Sequence, residues 1–379
     1  MQRAHKIRLV PTKAQEVLLR KTCGTARYVY NWALKAWEDQ YAEFKEAKAE
    51  KPTAYSMSRR WTKEKPEWAA ETARYAQTQS ILNLGKAMIN FWNKRADRPS
   101  FRKRTTHSSF QCDNQKSYLV SDKIHLQGIG CVKLREKLRF HGRIYAVSVS
   151  TQAGQWHVSI QVETPDLPKV ENSSTAGVDV GVKALAVSSD GTICENPLNL
   201  HKKQKYLARY QRKLSRQTKG SNRRNRTKLK ISKTHLKITN TRQDRIHKFT
   251  AAIAKNHGTA VIETLDIKEM AEGSTRYLRR NLQDTAMREV HRQLDYKMGA
   301  VIRAPKYFPS SKRCSACGHV KPEFPCSIRI YKCEKCGTIL DRDLNASYNL
   351  KDMPWVTGLM HGKGATAPMH REAVNLGVS

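Results

Sequence analysis

The stretch G-V-D-V-G-V-K-A-L-A-V-S-S-D-G, residues 177–191, indicates how the second half of the chain is built. It consists of an apolar strand, a glycine-containing break, a second apolar strand and an Asp-Gly turn at 190–191, which is the pattern of a β-hairpin. Asp179 lies inside the first strand, where a carboxylate is costly unless it is paired or binds a metal ion. The hairpin therefore predicts a sheet with a carboxylate that is paired or binds a metal ion.

The residues that follow the hairpin alternate between helical and strand patterns. A long basic helical region covers about 202–257, and G-T-A-V-I-E-T-L at 258–265 is an apolar strand that contains one acid, Glu263. A helix near 284–298 and a strand near 300–304 come next. The order hairpin, helix, strand, helix, strand predicts an α/β domain.

The residues that precede the hairpin show two other patterns. Residues 2–10 alternate and end at Pro11, and glycines separate the short β-rich runs of 107–167, which is typical of a small antiparallel barrel or sheet. Apolar residues within 11–106 recur at three- and four-residue spacings. We expect the first strand to join the later β-region and 11–106 to form an inserted helical lobe.

The charge of the chain points to its partner. Its net charge is +37, from 70 Lys and Arg against 33 Asp and Glu. Such an excess opposes compaction unless a polyanion neutralises it, and nucleic acid is the natural polyanion because binding its phosphates releases counterions. A membrane partner is disfavoured, since no run of 18 apolar residues occurs. The first residues lack the apolar region of a signal peptide, so a cytoplasmic protein with reduced cysteines is expected.

The basic helical region is the strongest local charge signal. Between Lys202 and Arg242 there are sixteen Lys or Arg and no Asp or Glu, whereas a merely solvated helix face mixes both signs. The segment predicts a surface that follows a phosphate backbone without reading bases. The residues expected to contact nucleic acid here are Lys202, Lys203, Lys205, Arg209, Arg212, Lys213, Arg216, Arg223 and Arg224.

Four of the nine cysteines form two C-x-x-C pairs. Fifteen residues separate the pair Cys314 and Cys317 from the pair Cys333 and Cys336, a spacing typical of a structural zinc site. A glycine follows each pair, which suits the tight turn that directs both sulfurs at one ion. Four thiolates would complete a tetrahedron around one Zn²⁺ ion and leave no open position for chemistry.

The turn D-R-D-L-N-A-S at 341–347 follows the second cysteine pair and supplies further acids. Together with Asp179 and Glu263, an acid of this turn could hold two Mg²⁺ ions, which cleave phosphodiesters by activating water and stabilising the leaving oxygen. A chain of this charge with such acids is a nuclease candidate. The spacing alone does not decide between Asp341 and Asp343, nor does it show that the acids converge.

Together these features resemble the TnpB family, RNA-guided DNA endonucleases encoded by bacterial insertion sequences and related to compact type V CRISPR effectors. The matching stretches, in the family's order, are L-V-P-T-K-A-Q (9–15), G-T-A-R-Y-V-Y-N-W-A-L (24–34), G-K-A-M-I-N-F-W (85–92), G-V-D-V-G (177–181), D-R-I-H-K (244–248), V-I-E-T-L (261–265), Y-F-P-S-S-K-R-C-S-A-C-G (307–318) and C-E-K-C-G followed by D-R-D-L-N-A-S-Y-N-L. The combination of P-S-S-K, the cysteine pairs and D-R-D-L-N-A is highly specific. One departure is that the connection between Lys297 and Phe308 is a few residues shorter than is usual in the family.

The resemblance implies a multidomain α+β and α/β architecture around an RNase H-like (RuvC) nuclease domain. The expected parts are a wedge-type β-barrel (1–10 and 107–168), a helical recognition lobe (11–106), the RuvC-like domain (169–310 and 338–360), an inserted zinc ribbon (311–337) and a disordered tail (361–379).

The resemblance also implies the roles of individual residues. The family's three acids fall on Asp179, Glu263 and Asp343, which would bind two Mg²⁺ ions, and its zinc ligands fall on the four paired cysteines. Gln79 matches a glutamine near the duplex that carries the adjacent motif. A structural or supporting role is expected for Asp341, and a supporting or phosphate-contacting role for Arg342 and Asn345.

The function implied by the resemblance is cleavage of DNA under the direction of RNA. Such a protein binds a guide RNA (omega RNA) from the end of its element, recognises a short transposon-adjacent motif in double-stranded DNA and cuts the target that the guide opens. It would act as a monomer in the bacterial cytoplasm, at the nucleoid when bound to DNA. Two alternatives are a nuclease-inactive RNA-guided repressor, which the intact set of acids disfavours, and a transposase acting on element ends.

Overall fold

The computed structural model describes residues 2–47, 50–104, 108–165, 174–196, 199–272, 274–275, 279, 282, 285–325 and 327–356. The chain forms two compact units, the first from 1–167 with 210–236 and the second from 168–209 with 237–379. Residues 210–236 thus group with the first unit, whereas the sequence assigned 169–310 to one nuclease domain. The predicted tail at 361–379 lies outside the described residues.

The first unit contains a helical part close to the predicted bounds. Its helices are α1 (Lys13–Ala47), α2 (Ala54–Glu64), a short 3₁₀ helix (Glu67–Glu71) and α3 (Arg74–Trp92). Helix α1 begins after Thr12, whose side chain accepts a hydrogen bond from the Gln15 backbone N–H at 3.2 Å. Helix α2 was not predicted, although Thr53 and Ser56 form a capping box at its start.

The first unit also contains one antiparallel sheet. Its strands are β1 (Gln2–Val10), β2 (Ser108–Cys112), β3 (Tyr118–Val120), β4 (Lys123–Leu126), β5 (Gly130–Leu134), β6 (Arg143–Gln152) and β7 (Gln155–Glu163). Their order is β2-β6-β7-β1-β5-β4-β3, and β1 pairs with β7 through residues 2–8 and with β5 through 9–10. In the part of the chain that the structure describes, β2 and β3 are edges, so the expected barrel is observed as a seven-stranded sheet.

One face of this sheet supplies the core of the first unit. Alternate residues of β7, from Trp156 to Val162, are at most 4% exposed, as a strand with one buried face requires. Leu19 and Cys23 of α1 belong to the same apolar cluster. The start of α1 is therefore fixed against the sheet by burial.

The second unit is built on a mixed sheet. Its strands are β8 (Thr175–Asp179), β9 (Ala184–Ser188), β10 (Ile193–Glu195), β11 (Thr259–Ile262) and β12 (Ala300–Arg303), in the order β10-β9-β8-β11-β12. The first three strands pair antiparallel, and β8, β11 and β12 run parallel. A separate hairpin pairs β13 (Ile330–Lys332) with β14 (Ile339–Asp341).

The helices that follow in the chain are α4 (Asn199–Ser215), α5 (Asn222–Asn256), α6 (Ile267–Ala271), α7 (Met287–Lys297) and α8 (Arg342–Val356). Helices α5 and α7 pack on one face of the mixed sheet and α8 on the other. Ala260 and Ile262 of β11 share a cluster with residues of α5 and α7, whereas Val261 between them packs with Leu350 of α8. The long basic region that was predicted is two helices, α4 and α5, with a break at 216–221. Within the described residues, none of the helices combines the length and apolar character that crossing a membrane requires.

Gly177 of β8 determines how closely α8 approaches the sheet. A Cβ atom at this position would overlap the Ser347 carbonyl oxygen and the Lys351 backbone nitrogen, both of α8. Gly181, which lies between β8 and β9, is less crowded, since a Cβ atom there would meet the Ala184 carbonyl oxygen at 3.2 Å. Glycine at 177 therefore lets a helix backbone lie directly on a strand backbone.

Gly177→Ala is expected to destabilise the second unit by about 3 kcal/mol or more, because two backbone segments must separate to admit the methyl group. Urea unfolding measures the change. Gly24→Ala in α1 is the control, since a Cβ there meets nothing within 4 Å and alanine favours the helix. Equal stability of the two variants would contradict this account of β8 and α8.

Candidate active site and zinc site

Two of the predicted acids lie at the carboxyl ends of neighbouring parallel strands. Asp179 is the last residue of β8, and the register pairs Ile262 of β11 with Val178 of β8. Glu263 follows Ile262 directly, so continuing the register by one residue puts Glu263 beside Asp179. The carboxyl ends of parallel strands are where sites form in open α/β sheets.

The third acid, Asp343, lies in the first turn of α8, the helix that packs on β8. The pKa of Asp179 is raised well above its usual range by burial first, then by the negative charges of Glu263 and Asp343. The helix that carries Asp343 packs on the strand that ends at Asp179, so the three carboxylates lie in one region of the second unit. The structure thus brings together the acids that the sequence left separate.

The same site raises the pKa of the other two carboxyls. Burial raises the pKa of Glu263, although a hydrogen bond from the Ser310 hydroxyl opposes it. Burial and then the charge of Asp341 raise the pKa of Asp343, and Arg329 opposes them. Carboxylates gathered in this way ionise together only when cations compensate their charge.

The donor set suits Mg²⁺, which prefers carboxylate oxygens. Among the described residues, donor atoms that all lie within 4.8 Å of one another are found in the group of four cysteines. The three acids lie apart from that cysteine group and could supply oxygen ligands to Mg²⁺ at the carboxyl ends of β8 and β11.

Asp179→Asn is expected to raise the apparent Tm of the protein at pH 8 when no Mg²⁺ is added, and to change it little near pH 4. A carboxyl whose folded pKa is raised holds a proton that the unfolded chain releases, so stability falls as the pH rises from about 4 through the folded pKa. Asparagine cannot ionise, so the variant does not lose this stability as the pH rises. Each kcal/mol corresponds to roughly 2–4 °C in a domain of this size, which differential scanning fluorimetry resolves.

Asp190→Asn is the matched control for the sign of this effect. Burial raises the pKa of Asp190, but hydrogen bonds from Thr192 and His257 outweigh burial and hold this pKa below its usual value. Its contribution to stability is present above about pH 4 and is lost as the pH falls through the folded pKa, so this variant should lower Tm at pH 8. A lower Tm for both variants at pH 8 would contradict the crowding of charge at Asp179.

The two aspartates of D-R-D have different structural roles. The Asp341 Oδ1 atom accepts hydrogen bonds from the backbone N–H groups of Asp343 at 2.9 Å and Leu344 at 3.2 Å. Asp341 therefore caps the N-terminus of α8. Asp343 is left to face Asp179 with its carboxylate, so the geometry assigns the structural role to Asp341 that the sequence expected.

Two arginines bring positive charge to the acids. Arg342 lowers the pKa of both Asp179 and Glu263, and its Nη1 atom donates to the Pro325 carbonyl at 3.3 Å. The Nη1 atom of Arg329 is 3.7 Å from Asp343 Oδ1. A contact of Arg342 with phosphate, which the sequence predicted, stays a prediction.

Asn345 has the supporting role that was one of the two expected for it. Its Oδ1 atom accepts from the Ser315 backbone N–H at 3.0 Å, its Nδ2 atom donates to the Arg313 carbonyl at 2.8 Å, and the residue is 0% exposed. The side chain is thus occupied in fastening the first cysteine pair to α8, and the expected phosphate contact is wrong because a fully buried amide cannot reach a backbone in solvent.

Ser310 and Asn349 are functional candidates that sequence reasoning missed. The Ser310 hydroxyl donates to Glu263 Oε1, and Asn349 of α8 donates to the Ser310 carbonyl at 2.8 Å. Ser310 therefore orients Glu263 and is itself held by the helix that carries Asp343. The stretch P-S-S-K was the available signal, since a serine hydroxyl is a natural hydrogen-bond donor to a buried carboxylate.

The four paired cysteines have the geometry of a zinc site. The Sγ atoms of Cys314 and Cys336 are 3.6 Å apart, and those of Cys317 and Cys333 are 3.5 Å apart. Zn–S bonds of about 2.3 Å in a tetrahedron place sulfurs ~3.8 Å apart. The cluster therefore fits one zinc ion with all four positions filled, which is a structural rather than a catalytic site.

Each cysteine pair lies in a turn of the same design. The backbone N–H of Gly318 donates to the Cys314 carbonyl at 2.9 Å, and that of Gly337 to the Cys333 carbonyl at 3.1 Å. The φ angles of the two glycines are 75° and 73°, in the left-handed region that other residues rarely adopt. The predicted use of these glycines is confirmed. Cys326, predicted to be a bystander, lies outside the described residues.

The predicted nucleic-acid contacts differ in their surroundings. The exposed side chains among them are Lys203, Lys205, Arg209, Arg212, Lys213, Arg216 and Arg223, while the side chain of Lys202 lies outside the described part. Arg224 is half-buried, and its Nη1 atom donates to the Leu214 and Gln217 carbonyls, the latter at 2.8 Å. Arg224 therefore holds the break between α4 and α5, and its contact with nucleic acid stays a prediction.

Gln79 lies on α3 and lines a cavity of about 560 Å³ in the first unit. Arg27, Arg102 and Lys103 line the same cavity, and its described lining contains no Asp or Glu. The Gln79 amide nitrogen donates to Asn83 Oδ1 at 3.4 Å, and Asn83 lines the same cavity. Amides beside cations are the groups that contact base edges and phosphates of DNA.

Comparison with known proteins identifies the family. Residues 157–273 match the family OrfB_IS605, described as "Probable transposase". The chain is 33% identical over 371 residues to the protein named "Putative RNA-guided DNA endonuclease InsQ" of Escherichia coli K12, covering 92% of this chain and 91% of that protein. The chain belongs to the TnpB family.

A second relative agrees with this membership of the TnpB family, and two domain models and a solved structure also match the chain. A relative from Streptomyces pristinaespiralis with the same kind of name is 30% identical over 368 residues, covering 92% of this chain and 89% of that protein. A helix-turn-helix domain model matches residues 1–46, and a Cas12f1-like TNB domain model matches 288–350. A solved structure titled "Cryo-EM structure of the Cas12f1-sgRNA-target DNA complex" aligns with 93% of this chain and 99% of that chain at 18% identity and a TM-score of 0.35.

Proposed function

We propose that this TnpB-family protein is an RNA-guided, Mg²⁺-dependent DNA endonuclease of an insertion sequence. The observation that carries the proposal is the position of Asp179 and Glu263 at the carboxyl ends of β8 and β11 and of Asp343 at the start of α8, where burial raises the pKa of all three carboxyls. Such crowding lowers stability and is expected where function requires it. The relatives named as RNA-guided DNA endonucleases support the same activity.

The three carboxylates would hold two Mg²⁺ ions, which supply an activated water and stabilise the leaving oxygen of a phosphodiester. Ser310 orients Glu263 through its hydroxyl hydrogen bond, and the positive charge of Arg342 favours the ionised carboxylates. A cavity of about 440 Å³ beside Asp343, lined also by Asp341 and Lys183, offers room for one DNA strand. We expect the scissile phosphate at the mouth of this cavity.

The architecture that goes with this activity is an RNase H-like (RuvC) domain in the second unit. Three antiparallel strands followed by two parallel ones, with acids at the ends of β8 and β11, support this assignment. The zinc ribbon is inserted between β12 and α8. In the first unit, the antiparallel sheet and helices α1–α3 support a wedge domain and a recognition lobe.

The proposed partners are a guide RNA and double-stranded target DNA. The exposed lysines and arginines of α4 and α5 would follow phosphates, and the cavity at Gln79 would receive the short motif next to the target. Base pairing with the guide would supply the remaining sequence specificity. We propose a monomer within the ribonucleoprotein, working on DNA in the bacterial cytoplasm.

The decisive experiment is to purify the full chain, sequence the RNA that co-purifies with it, and exchange the guide segment of that RNA. The complex is then incubated with plasmids that carry the new target beside randomised flanking sequence, with and without Mg²⁺. Cleavage that follows the new guide and needs Mg²⁺ is the expected result. RNA-dependent binding without cleavage would indicate a repressor, and RNase-resistant action on element ends would indicate a transposase.

A further inference from the structure

Tyr307 has an unusual position for an aromatic side chain. It is 84% exposed, the highest value among the large hydrophobic side chains of the described residues, whereas its neighbour Phe308 is half-buried against the cluster of Val261 and Leu350. A single exposed tyrosine is ordinary on a protein surface. What distinguishes Tyr307 is the structure that holds it and the group beside it.

The turn that carries Tyr307 is fixed at both ends. Its closing hydrogen bond joins the Phe308 N–H to the Pro305 carbonyl at 3.0 Å. On one side, the Ala304 N–H donates to the Ile262 carbonyl at 2.9 Å, and the Thr264 hydroxyl donates to the Ala304 carbonyl at 2.6 Å. These bonds attach the turn to the two residues that flank Glu263.

On its other side the turn leads to Ser310, whose N–H donates to the Phe308 carbonyl at 2.8 Å and whose hydroxyl donates to Glu263. Lys306 and Phe308, the two neighbours of Tyr307, line a small cavity with Glu263. The turn that carries Tyr307 is therefore attached beside an acid of the site, and its backbone has little conformational freedom to lose when a ligand binds.

The chemistry around the ring suits a nucleotide. The Nζ atom of Lys306 is 5.5 Å from the centre of the Tyr307 ring and 2.6 Å from Glu269 Oε2, so a cation that forms a surface ion pair lies beside an exposed aromatic face. Aromatic rings next to cations bind unpaired bases by stacking, while the cation serves the phosphate, and the stacking tolerates any base. A site whose sequence specificity comes from a guide needs this kind of tolerance.

We propose that Tyr307 stacks on an unpaired base of the DNA strand that is being cut, close to the scissile phosphate, and so positions that phosphate at the acids. The inference rests on the proposed nuclease function. Tyr307 is a positioning residue, so its removal slows cutting at saturating complex more than it weakens binding of the target.

The test compares Tyr307→Phe, Tyr307→Leu and Tyr307→Ala in the guide-loaded protein. Phenylalanine keeps the aromatic face and leucine keeps only the bulk, so the phenylalanine variant should cut like wild type and the other two about tenfold more slowly. All three should keep the Tm of wild type because the side chain is exposed. Equal cutting by all three variants overturns the proposal.

Target strands with a single abasic position near the cut site identify the partner base. One position should slow wild type about tenfold and should have no further effect on Tyr307→Ala, because the same stacking contact is then already missing. Losses that multiply at every position overturn the proposal. Wild-type cleavage in the same assay distinguishes failure of the nuclease function from failure of the stacking role. If wild type does not cut, both proposals fail. If wild type cuts and the Tyr307 variants cut equally well, only the stacking role fails.

Discussion

Asp343→Asn is expected to abolish DNA cleavage while the guide RNA stays bound. Asparagine keeps the shape of the side chain at the first turn of α8 but not its charge, so one metal-binding carboxylate is lost. Losing several kcal/mol of transition-state stabilisation lowers the rate on the order of a thousandfold. The measurement is single-turnover cleavage of a guide-matched target, with the bound RNA quantified in the same sample.

Asp341→Asn, two residues away, is the matched control. Asp341 accepts hydrogen bonds from the backbone N–H groups of Asp343 and Leu344, and asparagine caps helices about as well as aspartate. This variant should therefore cut within a few-fold of wild type. Full cleavage by Asp343→Asn together with loss of cleavage in Asp341→Asn would reverse the roles assigned to the two acids.

Cys314→Ser is expected to remove the zinc ion, unfold the ribbon and abolish cleavage. A structural zinc site contributes about 10–16 kcal/mol of binding free energy, which is folding free energy for the segment that it holds. The ribbon is also where Asn345 and Asn349 of α8 find their partners, the Arg313 carbonyl and the Ser315 N–H. Its loss should therefore release Ser310 and the start of α8, and with them two of the three acids.

Zinc content by mass spectrometry, limited proteolysis between 311 and 341, and cleavage rate together test this prediction. Cys131→Ser is the control, because Cys131 is an exposed cysteine of β5 in the first unit. It should keep one zinc ion per chain and the wild-type rate. A Cys314→Ser protein that retains stoichiometric zinc and resists protease would show that the four sulfurs do not form the site described above.

The acids and cysteines could be found from the sequence because their signals are local or chemical. A carboxylate in an apolar strand stands out at Asp179 and Glu263, and two C-x-x-C pairs need no knowledge of the fold. The choice of Asp343 over Asp341 required the resemblance to a family. In the structure, the choice follows from two backbone hydrogen bonds that only the start of α8 creates.

The features that sequence reasoning missed depend on contacts between distant segments. Asn345 and Arg224 look like solvent-facing polar residues in the sequence, and each is instead occupied by backbone groups some distance along the chain. The grouping of 210–236 with the first unit is of the same kind. The break between α4 and α5 did have a local signal in Gly220 and Ser221, since the Ser221 hydroxyl accepts from the Arg224 N–H at 3.2 Å.

Strand β1 has a consequence for how the protein is made. It is the link between the halves of the seven-stranded sheet, and its partner β7 pairs Glu163 with Gln2. Pairing over such a sequence separation is slow, because the intervening chain must be ordered first. A ribosome therefore releases the first strand early, and that strand waits for its partner while helices α1–α3 emerge. A fusion that blocks the first ten residues is expected to disturb the pairing of β1 with both β7 and β5.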